Sequence, residues 1–278
     1  FIMRRLQSLS GLFLVLFLME HLLTNSQAAL FFGEDGKGFI EAVNFIYSLP
    51  YLPVIECLLL GFPIAIHAIW GIQYLRSAKV NSLLTDGASP QLKLPRNYAY
   101  TWQRITSILL VVGILLHVTF MRFINHPTVV EFGGKEQFIV RLKMDPGLYT
   151  LGGRLNLHLF DKKTIDELEK NTVGQRADVP PITQATEQTS FNEKKALAYE
   201  HFEELQMQNK LAHALAKEPL KKGQVAAVAG SFGTAFLMMV RDTFKSIWVC
   251  ILYSIFVMAA CFHACNGLWT FSISWGIT

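Results

Sequence analysis

Four histidines stand inside long apolar runs of this 278-residue chain: His21 in LMEHLL, His67 in IAIHAI, His117 in ILLHVT and His263 in CFHAC. Each lies in the second half of its run. Strongly polar side chains are costly in hydrocarbon and are kept there mostly for function. A single one has a plain alternative, an interhelical hydrogen bond. Four, one per run at matching depth, point to ligation instead. Two facing neutral imidazoles are what six-coordinate haem iron needs, and helix bundles build such sites from facing helices.

The runs that carry them, roughly 6–26, 52–75, 103–123 and 246–270, are each long enough to cross a bilayer as a helix, which takes about 20 mostly apolar residues. With 51% hydrophobic and only 17% charged residues, the composition fits an integral membrane protein with four visible spans. The first run follows RRL and precedes SQA, as a signal peptide would. It is longer than a signal core and carries Glu20 and His21, so a retained helix is expected. The chain starts at Phe1 and stops at SISWGIT, still apolar, so truncation at both ends is expected. Net charge is +4 with dispersed basic residues, which gives no sign of nucleic-acid binding.

Loop charge orients the spans. Arg4 and Arg5 precede the first, and Arg76, Lys79, Lys93, Arg96 and Arg104 crowd the second connection. The first connection has Lys37 against Glu34, Asp35 and Glu41. The N-terminus and second connection should therefore be cytoplasmic, and the first and third connections outside. Spans one and three then run outward, which brings His21 and His117 to one height. Spans two and four run inward, which brings His67 and His263 to another. A rise of 1.5 Å per residue sets the two levels about 12–18 Å apart, if each histidine sits four to six residues past the midplane.

Small residues accompany the pairs. Gly71 and Gly267 follow a histidine by four residues and Gly113 precedes one by four, so a flat macrocycle or a close helix would meet no side chain there. Arg4, Arg5, Arg76 and Arg122 are candidates for haem propionates or for topology anchors. Zinc usually takes a compact, mixed ligand set, unlike histidines on four separate spans. A proton relay would want carboxylates nearby, and Glu20 and Glu56 are the candidates. Cys57, Cys250, Cys261 and Cys265 all fall in spans and read as small buried hydrophobes.

Between the third and fourth spans the chain is polar enough for an aqueous insertion over 124–224. A hairpin is expected across EQFIVRLKMDPGLYTLGGRLNLHLF, with turns at Asp145-Pro146-Gly147 and Gly152-Gly153. QRADVPPITQATEQTS reads as linker, and NEKKALAYEHFEELQMQNKLAHALAKEPL as a solvated helix. VAAVAGSFGTAFLMMV, 225–240, is short for a span and reads as an interfacial or re-entrant helix leading into the fourth. His126, His158, His201 and His213 read as surface histidines. The expected fold class is thus an all-α membrane protein: a bundle over 1–123 and 225–278 with an extracytoplasmic insertion.

RRLQSLSGLFLVLFLMEHLLTN, SLPYLPVIECLLLGFPIAIHAIWGI, WQRITSILLVVGILLH and FHACNGLWTFSISWGIT, in that order, resemble the cytochrome b membrane anchor of succinate:quinone oxidoreductases, the single-anchor, two-haem type. The resemblance covers most of 1–123 and 241–278. It implies two b haems, a proximal one on His67 and His263 and a distal one on His21 and His117. It also implies cytoplasmic flavoprotein and iron–sulfur partner subunits, a bacterial cytoplasmic membrane, and menaquinone or ubiquinone as the electron carrier served. The family has five helices, so a fifth is expected, and its connection between helices three and four is some hundred residues shorter.

Glu41 and Glu56, near the outward end of the second span, are candidates for quinone or proton contacts. Gln103 and Arg104 are candidates for an inner quinone site or the iron–sulfur contact. The chain holds neither a flavin fingerprint nor iron–sulfur cysteine spacing, so its own chemistry would be electron transfer. Two other classes stay open: the dihaem anchor of a hydrogenase or formate dehydrogenase, and a haem-free proton-coupled transporter.

Overall fold

Leucine-rich, nearly charge-free stretches have one way to satisfy their backbone in hydrocarbon, and they take it as helices. The computed structural model describes residues 2–29, 35–77, 95–132, 134–174 and 188–277. Glu34, Lys79, Lys93 and most of the expected linker, 175–187, lie outside the described residues. Four helices are long and apolar enough to cross a membrane: α1 (Ile2–Ser26), α3 (Leu52–Ser77), α4 (Pro95–Ile124) and α9 (Ile247–Trp275). The chain divides into two units. Phe1–Gln27, Phe45–Asn125 and Thr243–Thr278 form the bundle, and Ala28–Asn44 with His126–Asp242 form the second unit.

In the bundle, α1 packs against α3 and α9, and α4 packs against α9 and more lightly α3. The four helices thus form a ring, in which α1 lies diagonally opposite α4, and α3 opposite α9. Two helices carry a π-helical stretch, Cys57–Gly61 in α3 and Thr119–Ile124 in α4. Such stretches often mark functional positions. Helix α9 stops at Gly276, whose φ of 71° only glycine adopts without strain. There Gly276 N–H donates to Ile273 O and Ile277 N–H to Ser272 O, which satisfies the last carbonyls. Cys57, Cys261 and Cys265 are exposed and Cys250 is half-buried, so burial, the expected reason for them, fails for three of the four.

In the second unit the expected helix is present as Gln188–Lys217, while the other expected elements differ. Its sheet has strand order β1-β2-β4-β3, all antiparallel: β1 (Thr128–Phe132), β2 (Lys135–Lys143), β3 (His158–Phe160) and β4 (Gln224–Ala229). The hairpin joins β1 to β2 through Gly134, φ 76°. Pro146-Gly147 opens helix α5 (Pro146–Arg154) instead of a turn, with proline in the first turn where its missing N–H costs nothing. Gly152-Gly153 lies within α5. Helices α6 (Lys162–Gly174) and α7 (Gln188–Lys217) follow. Helix α7 is not purely solvated, since Leu211, Ala212 and Leu215 are buried.

Residues 225–240 are the clearest departure. Strand β4 runs through VAAVA, and Ser231 then caps helix α8 (Phe232–Thr243). Its hydroxyl accepts from Thr234 N–H at 3.3 Å, while Asn44 Oδ1 accepts from Gly233 N–H at 2.7 Å. Asn44 belongs to α2 (Lys37–Tyr47), a helix the sequence reading passed over. The sheet is apolar on both faces. Ile139, Ala226 and Val228 join Ile165, Leu211 and Leu215 on one, while Phe138 meets the ring of Phe232 on the other. An apolar run buried on both faces has no period, which is why 225–229 did not read as a strand.

Candidate functional site

Within the bundle each histidine meets one partner across a diagonal. His21 on α1 and His117 on α4 have ring centroids 5.9 Å apart, and His67 on α3 and His263 on α9 have theirs 6.2 Å apart. In both pairs the planes are nearly perpendicular, at 85° and 78°. Metal–imidazole bonds of about 2.0 Å, with about 1.1 Å from nitrogen to ring centre, would put two rings on one metal with centroids about 6.2 Å apart. The observed separations fit that. Among the described residues no group of three or more His, Cys, Asp or Glu gathers. Each pair therefore offers two nitrogens, the number an iron already held by four porphyrin nitrogens accepts.

Three of the four rings have a hydrogen-bonding partner at Nδ1. His67 Nδ1 lies 3.3 Å from the Gln7 carbonyl, which only accepts, so Nδ1 carries the hydrogen and the Nε2 lone pair is left for a metal. Ser10 Oγ, 3.5 Å from the same nitrogen, donates to the Gln7 carbonyl as well. His263 Nδ1 lies 3.3 Å from Thr106 Oγ1, and His117 Nδ1 lies 3.0 Å from the Tyr253 hydroxyl. His21 stacks obliquely on Phe17 at 5.4 Å. Orientation of a ligand histidine through its other ring nitrogen is the usual companion of metal binding.

Close approach at two points depends on glycine. A Cβ on Gly11 would sit 2.9 Å from His67 Cε1 and 3.3 Å from its Nδ1. On Gly113 it would run into the Phe256 ring, which itself packs on His117. Gly71 and Gly267 are looser, with their nearest side-chain neighbours, Gln7 and Gln103, at 3.8 and 4.0 Å. Sequence reading singled out Gly113, Gly71 and Gly267 but passed over Gly11, because it lies on a different helix from the histidine it accommodates.

The carboxylates separate. Glu56 sits on α3 directly before the π-helical stretch, and Arg122, within the other π-helical stretch, donates to its Oε2 from Nη2 at 3.1 Å. Glu41 lies exposed on α2 and is not part of a spanning helix. Gln103 turns inward: its Nε2 donates to His263 O at 3.2 Å and its Oε1 accepts from Asn266 at 2.9 Å. At the end of α9, the Arg5 guanidinium lies 4.3 Å over the Trp275 ring, whose Nε1–H donates to Ser8 Oγ at 3.1 Å. Of the other histidines, His158, His201 and His213 are exposed, while His126 is half-buried beside Phe232.

One curated protein, the succinate dehydrogenase cytochrome b558 subunit of Bacillus subtilis (strain 168), is 32% identical over 119 residues, 42% of this chain and 54% of that protein. The chain is similar to a cytochrome b subunit of succinate dehydrogenase. It spans about half the length of that relative. No family model and no solved structure matches. The similarity and the four apolar helices together make this a membrane protein.

Proposed function

We propose that the chain is the membrane-anchor cytochrome b of a succinate dehydrogenase complex, passing electrons between an iron–sulfur subunit and quinone. The observation that carries this is the diagonal pairing, two histidine couples on four helices, with ring centroids 5.9 and 6.2 Å apart. His67 and His263 would hold the proximal b haem, and His21 and His117 the distal one. When bound, haem b supplies a one-electron iron couple.

The chain's own part is to hold and shield. Gln7, Thr106 and Tyr253 orient three of the imidazoles, and exposed leucines and phenylalanines on the helix faces meet lipid. Orientation follows from loop charge, with the N-terminus cytoplasmic and the flavoprotein and iron–sulfur partners on that side, in a bacterial cytoplasmic membrane. Glu56 holds a proton-accepting carboxylate inside a span, tethered by Arg122, where a quinone that takes up electrons would also need protons. Glu41 is a weaker candidate for the same task, since it lies on α2.

A dithionite-reduced minus oxidised spectrum of the purified complex, with a haem-to-polypeptide ratio, tests this reading. Two haems per chain are expected, and His67→Ala and His117→Ala should each remove a different one. Protein without haem, from haem-replete cells expressing the whole complex, would sink the reading in favour of a proton path. Co-purified hydrogenase or formate dehydrogenase subunits would keep the haems but replace the partner. Glu56→Gln should retain both haems while slowing succinate-driven quinone reduction several-fold. An unchanged rate removes Glu56 from the proton route.

A further inference from the structure

We infer that Thr106 is a positioning residue that fixes the tautomer of His263 and lowers the reduction potential of the haem shared by His67 and His263; this rests on the ligation proposed above. Among the described residues the buried polar side chain is Thr106, 5% exposed, on an apolar helix. Its hydroxyl hydrogen is committed to its own helix, with Trp102 O at 2.8 Å and Gln103 O at 3.1 Å. The oxygen therefore has only lone pairs to offer His263 Nδ1, 3.3 Å away. The nitrogen must donate, so Nδ1 bears the hydrogen and Nε2 is the ligand.

Gln103, three residues earlier on α4, holds the backbone of the same histidine. It donates to His263 O and accepts from Asn266, one turn further along α9. Ring and peptide are thus both gripped from α4. A hydroxyl that donates to a carbonyl is a stronger acceptor, because hydrogen bonds in a chain polarise one another. An acceptor at Nδ1–H makes the imidazole more basic at Nε2, which favours the ferric over the ferrous ion. The other pair differs in kind: His117 Nδ1 meets the phenol of Tyr253, a poorer acceptor, at 3.0 Å.

Potentiometric titration of the whole complex, following each haem band, decides the matter. In Thr106→Val, nearly the same shape without the acceptor, one midpoint potential should rise and the other stay. Thr106→Ser should restore it, and Tyr253→Phe should raise the other potential instead. Two bound haems with unmoved potentials in Thr106→Val would overturn the inference, as would a Thr106→Ser shift as large as the valine one. If the valine variant does not accumulate, Thr106→Cys replaces the hydroxyl by a weak acceptor of similar size. It should give a smaller rise of the same haem, and no rise counts against the inference. An unsubstituted complex lacking two haems overturns the ligation reading and this inference with it, a result distinct from two haems indifferent to Thr106.

Discussion

The bundle and the second unit (the inserted unit, since most of it lies between the third and fourth spans) keep their apolar residues in opposite places. In the inserted unit Phe39, Leu148, Leu237 and Met238 are at most 1% exposed, and the sheet is covered on both faces. Among the described residues of the bundle the buried apolar ones are Ala259 and Ala260, while Leu23, Leu115, Leu252 and Met258 are all more than 60% exposed. The inserted unit is held by the hydrophobic effect, acting inward from water. Lipid gives the bundle no such inward drive, so its helices approach through small residues and polar contacts. The histidine pairs, Thr106, Gln103 and the Glu56–Arg122 pair are among its polar contacts. In the bundle the residues proposed to hold the haems are thus also among those that hold its helices together.

Substitutions should therefore act differently in the two units. The largest effect is expected at Gly11→Val, where the new side chain displaces the His67 ring. The haem proposed for that pair should be lost from the reduced spectrum, while hydrogen exchange of β2 and β4 stays protected. A retained spectrum would mean that α1 moves aside and that the close approach is not required. Leu237→Ala should do the reverse. Truncating a fully buried leucine costs about 2–5 kcal/mol, read as faster exchange across β4 and α8 with both haem bands intact. A spectral shift in that variant would break the proposed separation.

The smallest expected effect is a pH effect confined to the inserted unit. The Asp161 carboxylate accepts from Thr164 N–H at 2.8 Å and Thr164 Oγ1–H at 2.6 Å, which caps α6 and holds its pKa below the ordinary carboxylate value. A depressed folded pKa stabilises above the unfolded value of about 3.9 and is lost as pH falls through the folded one. Protection of the amides in the first turn of α6, measured against their intrinsic exchange rate at each pH, should thus fall on acidification below about pH 4. Asp161→Asn should abolish that dependence. An identical profile in the variant would move the effect to another carboxylate.

By itself the sequence determined the four spans, their helicity and the histidine positions. Hydropathy over about 20 residues leaves the backbone no alternative. Antiparallel helix direction also decided which histidines share a height, and the structure brings together those same couples, His21 with His117 and His67 with His263. Only the tertiary structure decided that the couples lie on diagonals, that Gly11 makes room for His67, and that Thr106 and Tyr253 face ring nitrogens. Those contacts join residues on different helices, and one helix carries no record of what its neighbour presents. The inserted unit was least legible for a related reason. An apolar strand buried on both faces has no period, and Pro146-Gly147 suits a turn or a helix start equally well until the surrounding chain selects one.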